Sequence, residues 1–286
     1  MSKENPGEST VRIQAALAAL PAASEAMRDE LARWMEMVTP TAAGAPTADV
    51  KCGASTDAAM ITTTWRISAE AQRIRPRLDT YFADFGADEG EAARLDATLE
   101  MLGPTRAGIW IEMGDDALDT GWFLDEPFDV TKVFAVAGGG ALGQKALGWA
   151  QRHGVARTVY LARSLGAKKP YHDLFLEAPG IDAALELLGA LDLPPPNARV
   201  EDGLRSAATS SAGVSVRLTE QGLTRVGLLG RRPSTNAVLS LLATRDQRDP
   251  KLLAAFEGVL GVTGAAWIEY EVYAARTNLE LHYTLE

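Results

Sequence analysis

Paired, short segments of alternating apolar residues recur five times along this chain, roughly every fifty residues, and a helix-like stretch separates each pair from the next. The pairs fall at 50–52 with 60–67, 108–113 with 122–124, 158–161 with 171–177, 214–219 with 225–229, and 266–273 with 278–285. Within a pair the apolar period is two, so each pair reads as a hairpin. Between pairs it changes to three and four, as at Ile181, Ala184, Leu185, Leu187, Leu188 and Leu191. The pattern predicts an α+β fold: a single ten-stranded antiparallel barrel of repeated α-β-β-α units, ringed by helices. An N-terminal helical segment and linker take residues 1–48, and the barrel takes 49–286.

With 286 residues, 47% hydrophobic and 23% charged, the chain can bury a large core, and the even recurrence favours one barrel over two domains. A formal net charge of −10 argues against nucleic acid and anionic membrane as partners, since both require a cationic footprint. No apolar run is long enough to span a bilayer and no basic-then-apolar leader opens the sequence, so a cytoplasmic protein is expected. Cys52, the single cysteine, has no assignable His or Asp partner. His153, His172 and His282 are scattered without ligand spacing, so neither a metal site nor a cofactor is expected. Before the barrel, an amphipathic helix breaks at Pro21 and resumes over 24–38, and a linker covers 39–48. Later helices are expected over 71–102, interrupted at Pro76 and at 86–90, and over 181–191, 236–244 and 249–260.

One motif pulls in another direction. Gly138, Gly140 and Gly143 have the G-x-G-x-x-G spacing of a dinucleotide-binding turn, after an apolar run at 133–137. The alternative it raises is an NADP-dependent oxidoreductase, because Arg163 and Ser164 stand where an NAD enzyme carries an acid. That reading requires the glycines to cap a parallel strand, whereas the continuation reads as a hairpin. The glycines are therefore expected to form a loop and a helix start.

The same stretch carries a family resemblance. Thr131 to Gly138, then a helix and a hairpin ending in Leu174, Phe175, Leu176 and Glu177, resemble the corresponding region of the cyanobactin-type peptide prenyltransferases, which belong to the ABBA prenyltransferases. Ala107, Gly108 and Ile109 resemble that family's Ala-Gly-Ile strand, and the run from Asn278 to Tyr283 resembles its last strand. The resemblance is collinear from about Lys51 to the C-terminus. It implies a barrel that holds a prenyl diphosphate on inward Lys and Arg residues, with aromatic side chains shielding the allylic cation. A partly desolvated diphosphate needs several fixed cations. The chain departs from the family at two of them: Glu112 stands where the Ala-Gly-Ile strand carries an Arg, and Glu280 where the last strand carries a cation.

In a barrel wrapped by helices, the wholly apolar face of each strand meets the helices and the mixed face meets the lumen. That rule points Ile109, Ile111, Ile268, Tyr270, Val272, Leu279, Leu281 and Tyr283 outward. It sends Thr158 and Ser215 inward with the candidate ligand-binding residues Arg66, Trp110, Tyr160, Asp173, Phe175, Arg217, Trp267, Glu269, Glu271 and Tyr273. Glu112, Glu280 and His282 share that face and are the candidates for acid–base work. Lys169 and Arg225 follow turns and read as solvated charges.

Such a lumen suits a ligand with amide groups, an aromatic side chain or a positive charge, which describes a peptide. The expected function is a peptide-binding protein of ribosomal-peptide natural-product biosynthesis. It would hold a precursor or modified peptide without a competent prenyl-diphosphate site. The rival is an active aromatic or peptide prenyltransferase, which requires Arg66, Arg217, Arg225 and Lys169 to converge at one level of the lumen.

Overall fold

A computed structural model of the chain describes residues 47–54, 59–84, 90–113, 118–165, 170–209, 211–245 and 250–285. The strands are β1 (Thr47–Ala54), β2 (Ala59–Glu70), β3 (Arg106–Met113), β4 (Leu118–Leu124), β5 (Phe128–Asp129), β6 (Arg157–Ser164), β7 (His172–Ala178), β8 (Ala212–Thr219), β9 (Gly222–Arg231), β10 (Trp267–Val272) and β11 (Thr277–Leu285). Neighbours pair antiparallel in the order β4-β3-β2-β1-β11-β10-β9-β8-β7-β6, and β4 pairs with β6 to close the ring. Ten strands thus form the barrel that the alternation predicts. The two-residue β5 is an addition, bonded to the start of β6. Closure removes the exposed edges an open sheet would present.

Helix pairs separate the hairpins: α1 (Ala71–Asp84) and α2 (Glu91–Leu102), α3 (Val130–Ala137) and α4 (Gly140–Arg152), α5 (Ile181–Ala190) and α6 (Ala198–Ala207), α7 (Thr235–Ala243) and α8 (Pro250–Leu260). Their starts are set locally. Asp129, Asn197 and Ser234 accept from backbone N–H groups of α3, α6 and α7. The main core lies between these helices and the outer barrel face, where Ile109, Ile111, Ile268, Val272, Leu279 and Leu281 are buried as the face rule expects. A smaller cluster of Trp110, Phe123 and Ala162, with Tyr160 against it, sits apart from that core.

Several expectations need correction. Pro76 does not interrupt its helix: it lies inside α1, which runs on to Asp84. The linker ends earlier than residue 48, because β1 begins at Thr47. Thr158 does not share a face with Tyr160, since a bulge between them leaves Thr158 opposite outward-facing Leu176 while Tyr160 lies opposite Phe175. The nucleotide alternative fails on topology. The apolar run before Gly138 is the helix α3 rather than a strand, and β6 runs antiparallel to both β4 and β7. Gly138 and Gly139, both at positive φ, form the loop between two helices, and Gly140 opens α4. The N-terminal helical segment, the turn at 166–169 with Lys169, and the side chain of Cys52 lie outside the described residues. Among the described residues no helix is long and apolar enough to cross a membrane.

Candidate ligand-binding lumen

Directly opposed residues of paired strands share a face, so the register lays out the lumen in rows. One row joins Ala162, Asp173, Arg217 and Arg225 across β6 to β9. The next joins Tyr160, Phe175, Ser215, Gly227, Glu271 and Asn278. On β10 and β11, Glu269 faces Glu280 and Trp267 faces His282. On the other side of the ring, Thr64 faces Glu112, which faces Asp119, and Arg66 faces Trp110, which faces Gly121. These rows enclose a cavity of about 340 Å³, lined by Arg66, Trp110, Tyr160, Asp173, Arg217 and Trp267 among others.

Three arginines of this cavity, Arg217, Arg225 and Arg231, lie against carboxylates. Arg217 donates to both oxygens of Asp173, at 2.8 and 2.6 Å, and its guanidinium lies 3.7 Å from the ring centre of Tyr171. Arg225 is bonded to Glu271 and lies 3.4 Å from Asp173. Arg231 lies 3.6 Å from Glu177. Arg66 lies 5.1 Å from the ring centre of Tyr160, which stacks on Phe123. Hydroxyls hold the acids in turn. Thr64 donates to Glu112, Ser215 to Glu269, Tyr273 to Glu271, and both Tyr171 and Ser164 to Asp119. His282 Nε2 lies 3.3 Å from Glu269 and 3.4 Å from Glu280, with Trp267 stacked on its ring.

Burial and charge move these groups apart in acidity. Burial raises the Asp119 carboxyl against its hydrogen bonds from Tyr171 and Ser164, and nearby Glu112 adds to the rise. Burial also raises Glu271, which Glu280 and Glu269 crowd despite Arg225. Tyr273, buried beside Glu271, is pushed up to about 12. In Glu269 burial is overcome by Arg225 and His282, which hold its carboxyl well below the usual range. For His282 the two carboxylates outweigh burial and raise the imidazole.

Arg66, Trp110, Tyr160, Asp173, Phe175, Arg217, Trp267 and Glu269 come together on this cavity, as do Glu112 and His282. Glu280 joins through His282, and Glu271 and Tyr273 stand behind Arg225. Arg225 differs from its expectation: it is a buried lumen cation, because the regular β8–β9 register that pairs Ser215 with Gly227 and Val216 with Val226 continues to place it directly opposite Arg217. Asp119 and Tyr171 were not singled out as candidates, since each lies at a strand end where alternation gives little signal. The Glu269, Glu280 and His282 group, whose ligand atoms lie within 4.8 Å of one another, was also invisible to spacing because it is assembled across two strands.

No family model matches the chain. It is 26% identical over 271 residues to a PH domain-containing protein of Dictyostelium discoideum, covering 87% of this chain and 59% of that protein. The crystal structure of 6-dimethylallyltryptophan synthase from Micromonospora olivasterospora, in complex with DMASPP and Trp, is similar at a TM-score of 0.62 and 13% identity, over 84% of this chain and 82% of that one. AnaPT from Neosartorya fischeri is similar at 0.57 and 10% identity, over 97% and 91% of the two chains. The fold is the ABBA prenyltransferase barrel. In this prenyltransferase-type barrel the mixed strand faces meet in a lumen rich in both acids and arginines.

Proposed function

We propose that this prenyltransferase-type barrel binds a peptide, or a modified precursor peptide of ribosomal-peptide natural-product biosynthesis, in its lumen without a competent prenyl-diphosphate site. The pairing of the cavity arginines carries the reading. Arg217 is forked onto Asp173, and Arg225 is held between Glu271 and Asp173. A diphosphate would have to displace these carboxylates or bear their repulsion. A peptide meets neither obstacle. An aromatic side chain finds Tyr160, Trp110 and Trp267, and amide or ammonium N–H groups find Glu112 and Glu269. A cavity of about 340 Å³ suits one or two residues of such a ligand. The cytoplasm, where ribosomal peptides are made, is the compartment this reading implies. Trp110 and Trp267 provide the test: a short Tyr-containing peptide should change their fluorescence saturably. Trp267→Ala and Glu112→Ala should each weaken binding by about ten-fold or more. A titration with no saturable change contradicts the reading.

A second reading, an active aromatic or peptide prenyltransferase, is favoured by one observation. Arg217 and Arg225 are directly opposed, and Arg66 and Arg231 line the same cavity. It predicts that dimethylallyl diphosphate binds in the micromolar range and that Arg217→Ala abolishes that binding. Absence of diphosphate binding contradicts it.

A further inference from the structure

We propose that Glu269, Glu280 and His282 form a binding site for a divalent first-row transition-metal ion such as Zn²⁺ in the wall of the lumen. The register creates an unusual demand there. Glu269 and Glu280 are directly opposed on β10 and β11, a like-charge pairing that favours a cation between the groups. His282 is 3% exposed, and neither ring nitrogen makes a hydrogen bond among the described residues. Its Nε2 nevertheless lies 3.3 Å from Glu269 Oε2 and 3.4 Å from Glu280 Oε2. Ligands about 2.0–2.1 Å from a tetrahedral ion lie about 3.3–3.4 Å apart, so these separations match two of the three edges such an ion requires, and all three ligand atoms lie within 4.8 Å of one another.

The surrounding groups orient the set. Ser215 donates to Glu269 Oε1 and Asn278 Nδ2 donates to Glu280 Oε1, so each carboxylate is tied at one oxygen while the other is turned to His282. Trp267 stacks on the imidazole with ring centres 4.7 Å apart. This is the outer arrangement that fixes ligand geometry in metal sites. Two carboxylates and one imidazole carry two negative charges, which a divalent ion balances, and the nitrogen ligand favours zinc, cobalt or iron over magnesium. Glu269 and His282 both line the cavity, so the site borders the space where a ligand would sit. The proposal does not depend on what that ligand is.

The test is titration of the metal-free full chain with Zn²⁺ by calorimetry, and with Co²⁺ by visible absorption, with Mg²⁺ as the comparison. One equivalent of Zn²⁺ should bind, Co²⁺ should give the intense bands of a four-coordinate nitrogen and oxygen site, and Mg²⁺ should bind far more weakly. His282→Asn and Glu280→Gln, checked for folding by circular dichroism, should abolish the cobalt bands. Should either variant fail to fold, Ser215→Ala, which keeps all three ligands but releases Glu269 Oε1, should weaken Zn²⁺ binding by about ten-fold. No zinc binding overturns the proposal. So do cobalt bands that survive in folded His282→Asn, or zinc affinity unchanged in Ser215→Ala.

Discussion

Asp173 is the residue on which the character of the lumen turns, because it neutralises Arg217 through two hydrogen bonds and also lies beside Arg225. Asp173→Asn keeps the shape, removes the charge and leaves the Arg217 guanidinium available to an anion, with Arg225 opposite it still held by Glu271. The variant should therefore bind dimethylallyl diphosphate at least about ten-fold more tightly than the parent chain, as calorimetry can measure. Unchanged affinity would mean that the carboxylate is not what excludes the anion. Gly121 decides whether the ring can close. A Cβ there would lie 1.8 Å from the backbone carbonyl oxygen of Arg163 on β6 and 2.8 Å from the Trp110 indole nitrogen. Gly121→Ala should cost at least about 2 kcal/mol in urea denaturation, since the obstructing carbonyl belongs to the barrel seam. At this scale the sequence was legible where alternation is regular: Trp110 with Glu112, and Glu269 with Glu271, fall on the expected face. It was illegible at bulges. Thr158 was misread because an inserted residue reverses the face, and single-strand periodicity carries no mark of it, whereas Arg225 was read as solvated because it follows the turn at Gly222, although regular alternation with Val226 and Leu228 sets it on the inner face.

Among the elements, α2 is fastened to the barrel by one buried group of polar side chains. Glu91 at its first turn accepts from Arg163 Nε at 2.6 Å, from the Trp122 indole at 3.1 Å and from Arg94 at 2.9 Å. His172 lies beside Arg163, and burial together with that guanidinium lowers its pKa from 6.5 to about 4. Because the folded value is the lower one, the unfolded chain binds the extra proton between pH 6.5 and 4, and stability falls as the pH drops through that window. The loss is up to roughly 3 kcal/mol. Glu91 acts in the same direction: its pKa is lowered mainly by Arg163 acting against burial, so its stabilisation is lost as the pH falls through the folded value. His172→Gln should flatten the dependence of the urea midpoint on pH between 6.5 and 4. A slope equal to that of the parent chain would contradict this assignment. The helices around the latch were readable from three- and four-residue spacing, but the latch was not. Glu91 and Arg163 are 72 residues apart, and only the closed barrel brings them together.

The whole molecule has the barrel that its five hairpins imply, and its structural neighbours share that barrel at 13% and 10% identity. The barrel is shared although few residues are identical, because a closed ring wrapped by helices requires an apolar outer face but leaves the lumen residues unconstrained. Here the lumen carries arginines that lie against acids, beside aromatic rings and a convergent pair of carboxylates with one histidine. We propose that this balance of charge selects a peptide over a diphosphate. The most direct measurement is calorimetric titration of the full chain, under identical conditions, with dimethylallyl and geranyl diphosphates and with short peptides containing Trp or Tyr. Saturable peptide binding with no diphosphate binding is the predicted result. Micromolar diphosphate binding without peptide binding would contradict the account and leave the opposed Arg217 and Arg225 as a working anion site.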